Sequence, residues 1–264
     1  MTLPEFERPL LSRLTDRSGS FSAIWHRIGN DLRQLRRLAR LQLDELESRP
    51  LRHVVECDFK WDLRGPNPFL YVHHGPTGME QLSTTIATRL GCAEFGRLLA
   101  TLGPTPIDLV IEVKAGWGPR SEALERMGQL VRDAKFESRA IVASTSPRIL
   151  EEVREVIPLL PRALFVLYVR SDGRVVHFPV TDLWRTLKAA GMSAPESLGM
   201  ADLIIGAGLQ PPWMQLERGA RLAARGRPFI PGRASDPQAL ASYASRGAAA
   251  AFAYFDPESL SDWP

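Results

Sequence analysis

Short apolar runs alternate with amphipathic segments along most of the chain. The runs that predict strands are 23–27, 53–61, 69–73, 107–113, 140–143, 163–169, 201–205, 228–230 and 249–254. The segments with one apolar face, which predict helices, are 79–102 (interrupted near Gly91), 122–135, 147–157, 182–190, 212–224 and 236–245. Strands that alternate with helices of about 10–15 residues predict βα units and a parallel sheet.

The count of these runs predicts the fold class, α/β. About eight strand positions fit a single (β/α)₈ TIM barrel at 23–258, with a short N-terminal arm at 1–22 and a C-terminal tail at 259–264. An open doubly wound sheet is the competing fold, but no G-x-G-x-x-G motif follows the first strand. Leucines spaced among arginines at 31–46 predict one amphipathic helix, and 174–178 predicts a short antiparallel strand.

Composition and charge exclude several classes of protein. The 264 residues are 44% hydrophobic and 24% charged, as in an ordinary globular protein, and no apolar run approaches the roughly 20 residues that span a bilayer. With 33 Lys and Arg against 30 Asp and Glu, the net charge of +3 gives no reason to expect nucleic-acid binding. Two cysteines are too few for a disulfide framework or a zinc cluster. The start of the chain lacks the apolar core of a signal peptide, so the expected compartment is the cytoplasm.

Polar residues collect at the carboxyl ends of the first four predicted strands, where barrel enzymes place their active sites. In chain order these residues are His26 and Arg27, Glu56 and Asp58, His73 and His74, and Glu112 and Lys114. Alternate residues of a strand share a face, so the members of the E-x-D pair and of the E-x-K pair point the same way. The sequence therefore predicts that these side chains converge on one end of the barrel.

The residue types in this set indicate phosphoryl-ester chemistry. Three converging carboxylates repel one another and need a cation, and hard oxygen ligands suit one divalent cation, Mg²⁺ or Ca²⁺. Histidines beside them are a natural general acid and general base near neutral pH. Lys114 and Arg27 would neutralise a phosphate. Trp117 lies in the loop after the fourth of these strands and is predicted to line the substrate pocket, with simple loop packing as the alternative.

Four motifs resemble those of a known family. They are HRIGN at 26–30, VVECDFKWD at 54–62, VHHGPT at 72–77 and IDLVIEVK at 107–114. The chain resembles the glycerophosphodiester phosphodiesterase family, part of the phosphatidylinositol phospholipase C-like barrel group. The resemblance covers about 23–258 and is looser in the last two strand regions.

This resemblance implies a role for each matching residue. The family uses two histidines as acid and base, which match His26 and His74, and it holds Mg²⁺ or Ca²⁺ on three carboxylates. The matching carboxylates are Glu56, Asp58 and Glu112. His74 fits better than its neighbour because proline and threonine follow it, as in the family's H-D-P-T. The implied activity is metal-dependent hydrolysis of a glycerophosphodiester or related phospholipid-derived phosphodiester, with water or a substrate hydroxyl as nucleophile.

Two departures from the family pattern leave alternatives open. Gly75 replaces the usual aspartate, as in the sphingomyelinase D branch of the group, and Gly-Arg-Ala-Ser-Asp at 232–236 replaces the W-x-V-N-D motif. One alternative is therefore a sphingomyelinase D-like phospholipase, for which exposed side chains at Trp117 and Trp213 would be evidence. Another is a non-catalytic barrel that binds a phosphate-bearing ligand. The arginines of 31–46 are expected on a solvated face, with contact to an anionic membrane surface as the alternative.

Overall fold

Strands and helices alternate through most of the described chain. The computed structural model describes residues 9–15, 20–41, 45–46, 49–66, 68–76, 80–114, 116–166, 168–169, 175–176, 201–206, 212–224 and 228–260. Its strands are β1 (Phe21–Trp25), β2 (Glu45–Leu46), β3 (Arg49–Asp62), β4 (Phe69–Val72), β5 (Ala93–Glu94), β6 (Asp108–Val113), β7 (Ala140–Ser144), β8 (Arg162–Val166), β9 (Tyr168–Val169), β10 (Val175–Val176), β11 (Leu203–Gly206), β12 (Phe229–Ile230), β13 (Gly232–Ala234) and β14 (Ala250–Ala253). Its helices are α1 (Pro9–Thr15), α2 (Leu32–Leu38), α3 (Thr84–Arg89), α4 (Phe95–Leu102), α5 (Arg120–Asp133), α6 (Pro147–Val156), α7 (Pro212–Ala223) and α8 (Pro237–Ser245). The helix predicted at 182–190 lies outside the described residues.

Eight strand positions form a closed parallel barrel. The strands pair in the order β12, β11, β8, β7, β6, β3, β1, β14 and β13. Only Pro231 separates β12 from β13, so these two short strands are the halves of one barrel position. One half pairs with β11 and the other pairs with β14, which closes the sheet. The (β/α)₈ TIM barrel predicted from the sequence is confirmed.

One predicted strand lies outside the barrel. β4, predicted at 69–73, runs antiparallel to β3 and pairs on its other side with the short β5. β3 is 14 residues long, so its carboxyl half extends past the barrel and supports this hairpin. The apolar run at 69–73 looks the same for either pairing direction, and the sequence pattern therefore did not separate a hairpin strand from a barrel strand. The antiparallel strand predicted at 174–178 is present as β10, which pairs with β9.

The helix predicted at 31–46 is wrong beyond Leu38. Asp31 caps the start of α2 by accepting a hydrogen bond from the backbone N–H of Arg33, and the helix ends at Leu38. Glu45–Leu46 instead forms β2, which pairs antiparallel with the beginning of β3. The backbone of this segment thus finds hydrogen-bond partners in the sheet, and tertiary pairing overrides the helical spacing of its leucines.

Side-chain alternation divides β3 between two cores. Val54 packs inside the barrel, whereas Val55 and Cys57 face the layer between the sheet and the helices. Burial raises the pKa of the Cys57 thiol well above its usual value, which agrees with a core cysteine. The same alternation points Glu56 and Asp58 into the barrel above Val54.

Helix α1 covers the amino end of the barrel. Leu10 and Leu14 are buried against the side chains that fill the barrel interior. Arg13 Nη2 lies 2.8 Å from Oδ2 of Asp108, the first residue of β6. Arg139 Nε approaches Oδ1 of the same carboxylate at 3.4 Å. Among the described residues, no helix is both long and apolar enough to cross a membrane.

Candidate active site

Three carboxylates lie together inside the carboxyl end of the barrel. Glu56 and Asp58 come from β3 and Glu112 comes from β6, with Asp58 directly beside Glu112 in the parallel register. All three side chains are buried, and one oxygen of each lies within 4.8 Å of the others. Below them on the same two strands, Val54 and Val110 fill the barrel interior and fix this register. The structure thus brings together the three carboxylates named from the sequence.

Asp58 is held by three neighbouring side chains. Asn30 Nδ2 donates to Asp58 Oδ2 over 2.7 Å, and the backbone N–H of Asp58 donates to Asn30 Oδ1 over 2.8 Å. His74 Nδ1 lies 2.9 Å from the same Oδ2 and carries a hydrogen, since an ionised carboxylate only accepts. Lys114 Nζ lies 3.3 Å from Asp58 Oδ1 and 2.7 Å from Glu112 Oε1. Lys114 therefore partly neutralises the carboxylates, and its contact with a phosphate stays a prediction.

Burial and charge shift the pKa values of the carboxyl groups in different directions. Burial, with the charges of Asp58 and Glu112, raises the pKa of Glu56 well above its usual value. Burial also raises the pKa of Glu112, although Lys114 opposes this shift. Burial acts on Asp58 in the same direction, but the hydrogen bond from His74 and the charge of Lys114 outweigh it and lower the pKa to about 2. The ammonium group of Lys114 lies beside these three carboxyl groups, and of the three only Asp58 has a lowered pKa.

This carboxylate cluster fits one divalent cation. Glu56 Oε1 and Asp58 Oδ1 are buried and accept no hydrogen bond from the part of the chain that the structure describes, although Asp58 Oδ1 has the ion-pair contact with Lys114 at 3.3 Å. A buried polar atom without a partner costs roughly 1–3 kcal/mol, and more when it is charged. Mg²⁺ and Ca²⁺ take oxygen ligands of this kind, so one such ion would satisfy both oxygens and offset the repulsion among the carboxylates.

His26 lies across from His74 beside the carboxylates. The centroids of the two imidazole rings are 6.0 Å apart. Nε2 of His26 accepts a hydrogen bond from Arg27 Nε over 3.2 Å, and the ring stacks on Tyr254 with centroids 4.1 Å apart. Burial and, next, the charge of Arg27 lower the pKa of His26 to about 3. His26 is therefore neutral at physiological pH.

The turn after β1 gives Arg27 two separate contacts. Its backbone adopts the left-handed region, with φ 65°, and its N–H donates to Glu56 Oε2 over 2.7 Å. Its guanidinium lies beside His26 and is exposed to solvent. Gly29 allows the turn to pack closely on β3, because a Cβ there would lie 2.8 Å from the Cys57 Cβ.

Gly75 leaves room for the carboxylate of Glu80 beside His73. Its φ is +66°, and a Cβ at this position would lie 2.4 Å from Glu80 Oε2. The aspartate that usually stands here in the resembled family would therefore displace Glu80. His73 lines a different pocket, and burial followed by the charge of Lys60 lowers its pKa. The backbone N–H of His73 donates to the carbonyl oxygen of Asp58, but of the two imidazoles it is that of His74 that bonds to the Asp58 carboxylate.

Trp117 lies in the loop after β6. Its backbone N–H donates to the carbonyl of Trp61, and its carbonyl accepts from the N–H of Leu63, so the loop is tied to the end of β3. The guanidinium of Arg64 lies 4.0 Å from the centre of its ring, which leaves the residue 37% exposed. Trp213, at the start of α7, is 52% exposed. The role of Trp117 in binding substrate stays a prediction.

Two residues beside the site were not found from the sequence. Asn30 belongs to the HRIGN motif, and its place four residues after His26 was the available signal for its contact with Asp58. Tyr254 directly follows the last barrel strand, where the fold places active-site residues, and this position was its signal. Burial raises the pKa of Tyr254, so its hydroxyl stays protonated at physiological pH.

Comparisons with known proteins agree with the fold. No family model matches the chain, and no curated protein matches it in sequence. A structure from Agrobacterium tumefaciens, provisionally described as a glycerophosphoryl diester phosphodiesterase, has 15% identity and a TM-score of 0.63 over 92% of this chain and 97% of that chain. A glycerophosphodiester phosphodiesterase from Parabacteroides distasonis has 14% identity and a TM-score of 0.56 over 92% and 96%. A phosphodiesterase from Oleispira antarctica, solved with the product sn-glycerol-3-phosphate, has 10% identity and a TM-score of 0.55 over 91% and 95%. At these identities the likeness establishes a shared barrel fold.

Proposed function

We propose that this chain is a cation-dependent phosphodiesterase. Its substrate would be a glycerophosphodiester or a related phospholipid-derived phosphodiester. The observation that carries the proposal is the pair His26 and His74, whose rings lie 6.0 Å apart beside three buried carboxylates. The barrels of similar fold support this substrate class, since they include a glycerophosphodiester phosphodiesterase and a phosphodiesterase solved with sn-glycerol-3-phosphate.

Glu56, Asp58 and Glu112 would hold the divalent cation, which when bound supplies positive charge to a non-bridging phosphate oxygen. Asn30 orients one of these carboxylates through two hydrogen bonds. Lys114 bonds to two of the three and keeps them close together. Arg27, exposed beside His26, binds a second phosphate oxygen through its guanidinium.

The two imidazoles carry the proton transfers. His74 donates Nδ1–H to Asp58, which leaves Nε2 to exchange a proton with an oxygen on phosphorus. Nε2 of His26 is held by Arg27 and becomes available when Arg27 turns to the phosphate. One imidazole removes the proton of the attacking water or substrate hydroxyl, and the other protonates the leaving oxygen.

Hydrolysis of phosphodiesters by the purified protein tests this proposal. We would measure kcat/KM for a generic phosphodiester and for glycerophosphodiesters, with Mg²⁺, with Ca²⁺ and with chelator. Turnover is expected only with a divalent cation. Loss of a general acid or base lowers rates by about 10²–10⁴-fold, so kcat/KM of His26→Ala and of His74→Ala is expected to fall by that factor.

The neighbouring histidine is the matched control. His73→Ala removes the same side chain one residue away and is expected to leave kcat/KM nearly unchanged, because His73 lines a different pocket. Turnover that survives the change at His74, or equal loss at both positions, would contradict the assigned roles. Cation binding without hydrolysis of any diester would instead favour a barrel that only binds a phosphate-bearing ligand.

Two exposed indoles favour a second candidate, a lysophospholipid substrate. Trp117 and Trp213 are 37% and 52% exposed, and each follows the carboxyl end of a barrel strand. An acyl chain would cover such side chains, whereas a glycerophosphodiester has no apolar tail. This candidate requires a higher kcat/KM for lysophospholipids than for the matching glycerophosphodiesters, and a selective loss of that preference in Trp117→Ala or Trp213→Ala.

A further inference from the structure

A pocket of about 430 Å³ opens beside His26. His26, Arg27, Arg233 and Tyr254 are among the residues that line it, and none of the three clustered carboxylates is. The pocket therefore lies on the side of the His26 ring that does not face the candidate cation site. A group that occupies it is next to the imidazole but is not the phosphate itself.

The charges around this pocket are unequal. Of its two carboxylates, Glu258 pairs with Arg37, whereas Asp256 accepts the backbone N–H of Glu258 at Oδ1 and makes no ion pair with the described residues. Arg27 and Arg233 are both exposed, and no carboxylate of the described residues lies within ion-pair distance of either guanidinium. Since the proposed function assigns Arg27 to the reacting phosphate, Arg233 is the arginine available to a second anion at the pocket.

Arg233 is held in place by stacking. Its guanidinium carbon lies 4.5 Å from the centre of the Tyr254 ring, which itself stacks on His26. An arginine over an aromatic face has a restricted position and keeps its donors for a ligand. Arg233 is therefore connected to the imidazole through one aromatic ring.

The preceding residue explains why Arg233 reaches the pocket. A Cβ on Gly232 would lie 2.3 Å from the carbonyl oxygen of Gly206 and 2.9 Å from the Cβ of Phe252. No side chain fits there, and the next residue, Arg233, is the one from β13 that lines the pocket, beside Tyr254 at the end of β14. This is the segment in which the sequence departs from the W-x-V-N-D motif of the family that it resembles.

We propose that this pocket binds one alcohol portion of the phosphodiester, and that Arg233 selects an alcohol that carries its own negative charge. The proposal rests on the proposed function only in taking His26 as the group beside the reacting phosphate. An alcohol joined to that phosphate would extend past the imidazole into the pocket, where Arg233 meets a carboxylate or a further phosphate. The substrate class is thus a phosphodiester with a second anionic group, not one with a neutral or cationic head group.

Three diesters that share one glycerol and differ in the second alcohol test this selection. The second alcohol is glycerate, glycerol or choline, so its charge is negative, zero or positive. We would measure kcat/KM, and we would measure Kd by calorimetry with the His74→Ala protein, which does not consume the diester. We expect the glycerate diester to be preferred over the glycerol diester by about fivefold, the upper size of an exposed ion pair, and the choline diester to be the poorest.

Variants of Arg233 test whether the preference for an anionic alcohol comes from this side chain or from the overall positive charge of the protein. Arg233→Gln is expected to bring glycerate and glycerol diesters within about twofold of each other, and Arg233→Lys to keep part of the preference because it keeps the charge. Arg246→Gln is the control, since it removes one exposed charge from the end of α8, outside the residues that line the pocket. It is expected to leave the preference unchanged.

The outcomes distinguish this proposal from the proposed function. The diesters could fail to be hydrolysed while the one with an anionic alcohol still binds with the lowest Kd, in a manner that depends on Arg233. That result would support the pocket assignment and contradict the proposed phosphodiesterase activity. If the glycerate diester is neither bound nor hydrolysed better than the glycerol diester, the pocket assignment is overturned. It is also overturned if Arg233→Gln retains the full preference.

Discussion

The two ends of strand β6 each carry a buried acidic side chain on the same face, with opposite surroundings. At the amino end, Asp108 lies 2.8 Å from Arg13 and 3.4 Å from Arg139, and α1 covers it. At the carboxyl end, Glu112 shares one ammonium, that of Lys114, with two further carboxylates. The carboxylate at the amino end thus has two cationic partners, whereas three carboxylates at the carboxyl end share one.

This difference supports the assignment of the carboxyl end as the site of the proposed activity. Burial raises the pKa of Asp108 and of Glu112 alike, so burial alone does not distinguish a structural carboxyl group from a site. The number of neighbouring cationic side chains does distinguish the two ends. Two arginines lie beside one carboxylate at the amino end, whereas one lysine lies beside three carboxylates at the carboxyl end. An acidic excess that the protein does not neutralise is suited to an external cation.

The largest expected effect comes from neutralising the acidic end. Glu112→Gln removes one negative charge and replaces one carboxylate oxygen by an amide nitrogen, and it is expected to lower kcat/KM by about 10³-fold, since a catalytic cation supplies several kcal/mol of stabilisation. The melting temperature of Glu112→Gln should change little, because the substitution also decreases the repulsion among the three carboxylates. Asp108→Asn on the same strand is the control and should keep activity. Equal activity of the two variants would remove the distinction between the ends.

Shortening a buried side chain at the amino end of the barrel should lower stability and leave activity unchanged. Leu14 is buried between α1 and the barrel interior, so Leu14→Ala is expected to lower the free energy of unfolding by about 2–4 kcal/mol. Denaturant unfolding measures this loss, and kcat/KM well below the melting temperature should stay unchanged. Leu14→Met, which keeps most of the volume, should lose much less stability. A fall in kcat/KM at low temperature would show that the two ends are coupled.

Asp62 sharpens the comparison, because it is a carboxylate on the extension of β3 that the protein satisfies fully. It accepts hydrogen bonds from Arg64 Nε over 3.0 Å and from the backbone N–H of Thr84 over 2.7 Å. Burial raises its pKa, but these hydrogen bonds outweigh burial and lower the pKa to about 2. Asp62→Asn is therefore expected to cost about 1–3 kcal/mol of stability at pH 7 while activity persists.

The pH dependence of that cost follows from the lowered pKa. An unfolded aspartate titrates near pH 3.9, so the stability that Asp62 contributes is complete above about pH 4 and is lost as the pH falls towards 2. We would measure the free energy of unfolding of the wild-type protein and of Asp62→Asn between pH 7 and pH 2. The difference between the two free energies should decrease as the pH falls from about 4 to 2. A difference that is independent of pH would mean that the charge of Asp62 contributes nothing.

The barrel and the carboxylates could be predicted because both depend on short-range patterns. The apolar runs give the strands, and period-two alternation puts Glu56 and Asp58 on one face. The carboxyl ends of parallel strands meet at one end of a barrel, which is enough to bring Glu112 to the same place. These inferences need no knowledge of side-chain contacts.

Long-range pairing is what the pattern did not contain. The apolar run of β4 fits a barrel strand as well as a hairpin, and the leucines of 31–46 continue past the point where the backbone turns to pair with β3. Tyr254 and Asn30 lie far from their partners in sequence, so their stacking and hydrogen bonding depend on the closed barrel. Closure itself depends on two strand halves separated by Pro231.

Calorimetric titration of Mg²⁺ and Ca²⁺ into the cation-free protein tests the central claim most directly. We expect one site in the wild-type protein and in Asp108→Asn, and no measurable site in Glu112→Gln, because the carboxyl end has three clustered carboxylates and one ammonium group, that of Lys114, beside them. Binding that survives Glu112→Gln, or an absence of binding in the wild-type protein, would contradict the assignment of this carboxylate cluster as the cation site of a phosphodiesterase.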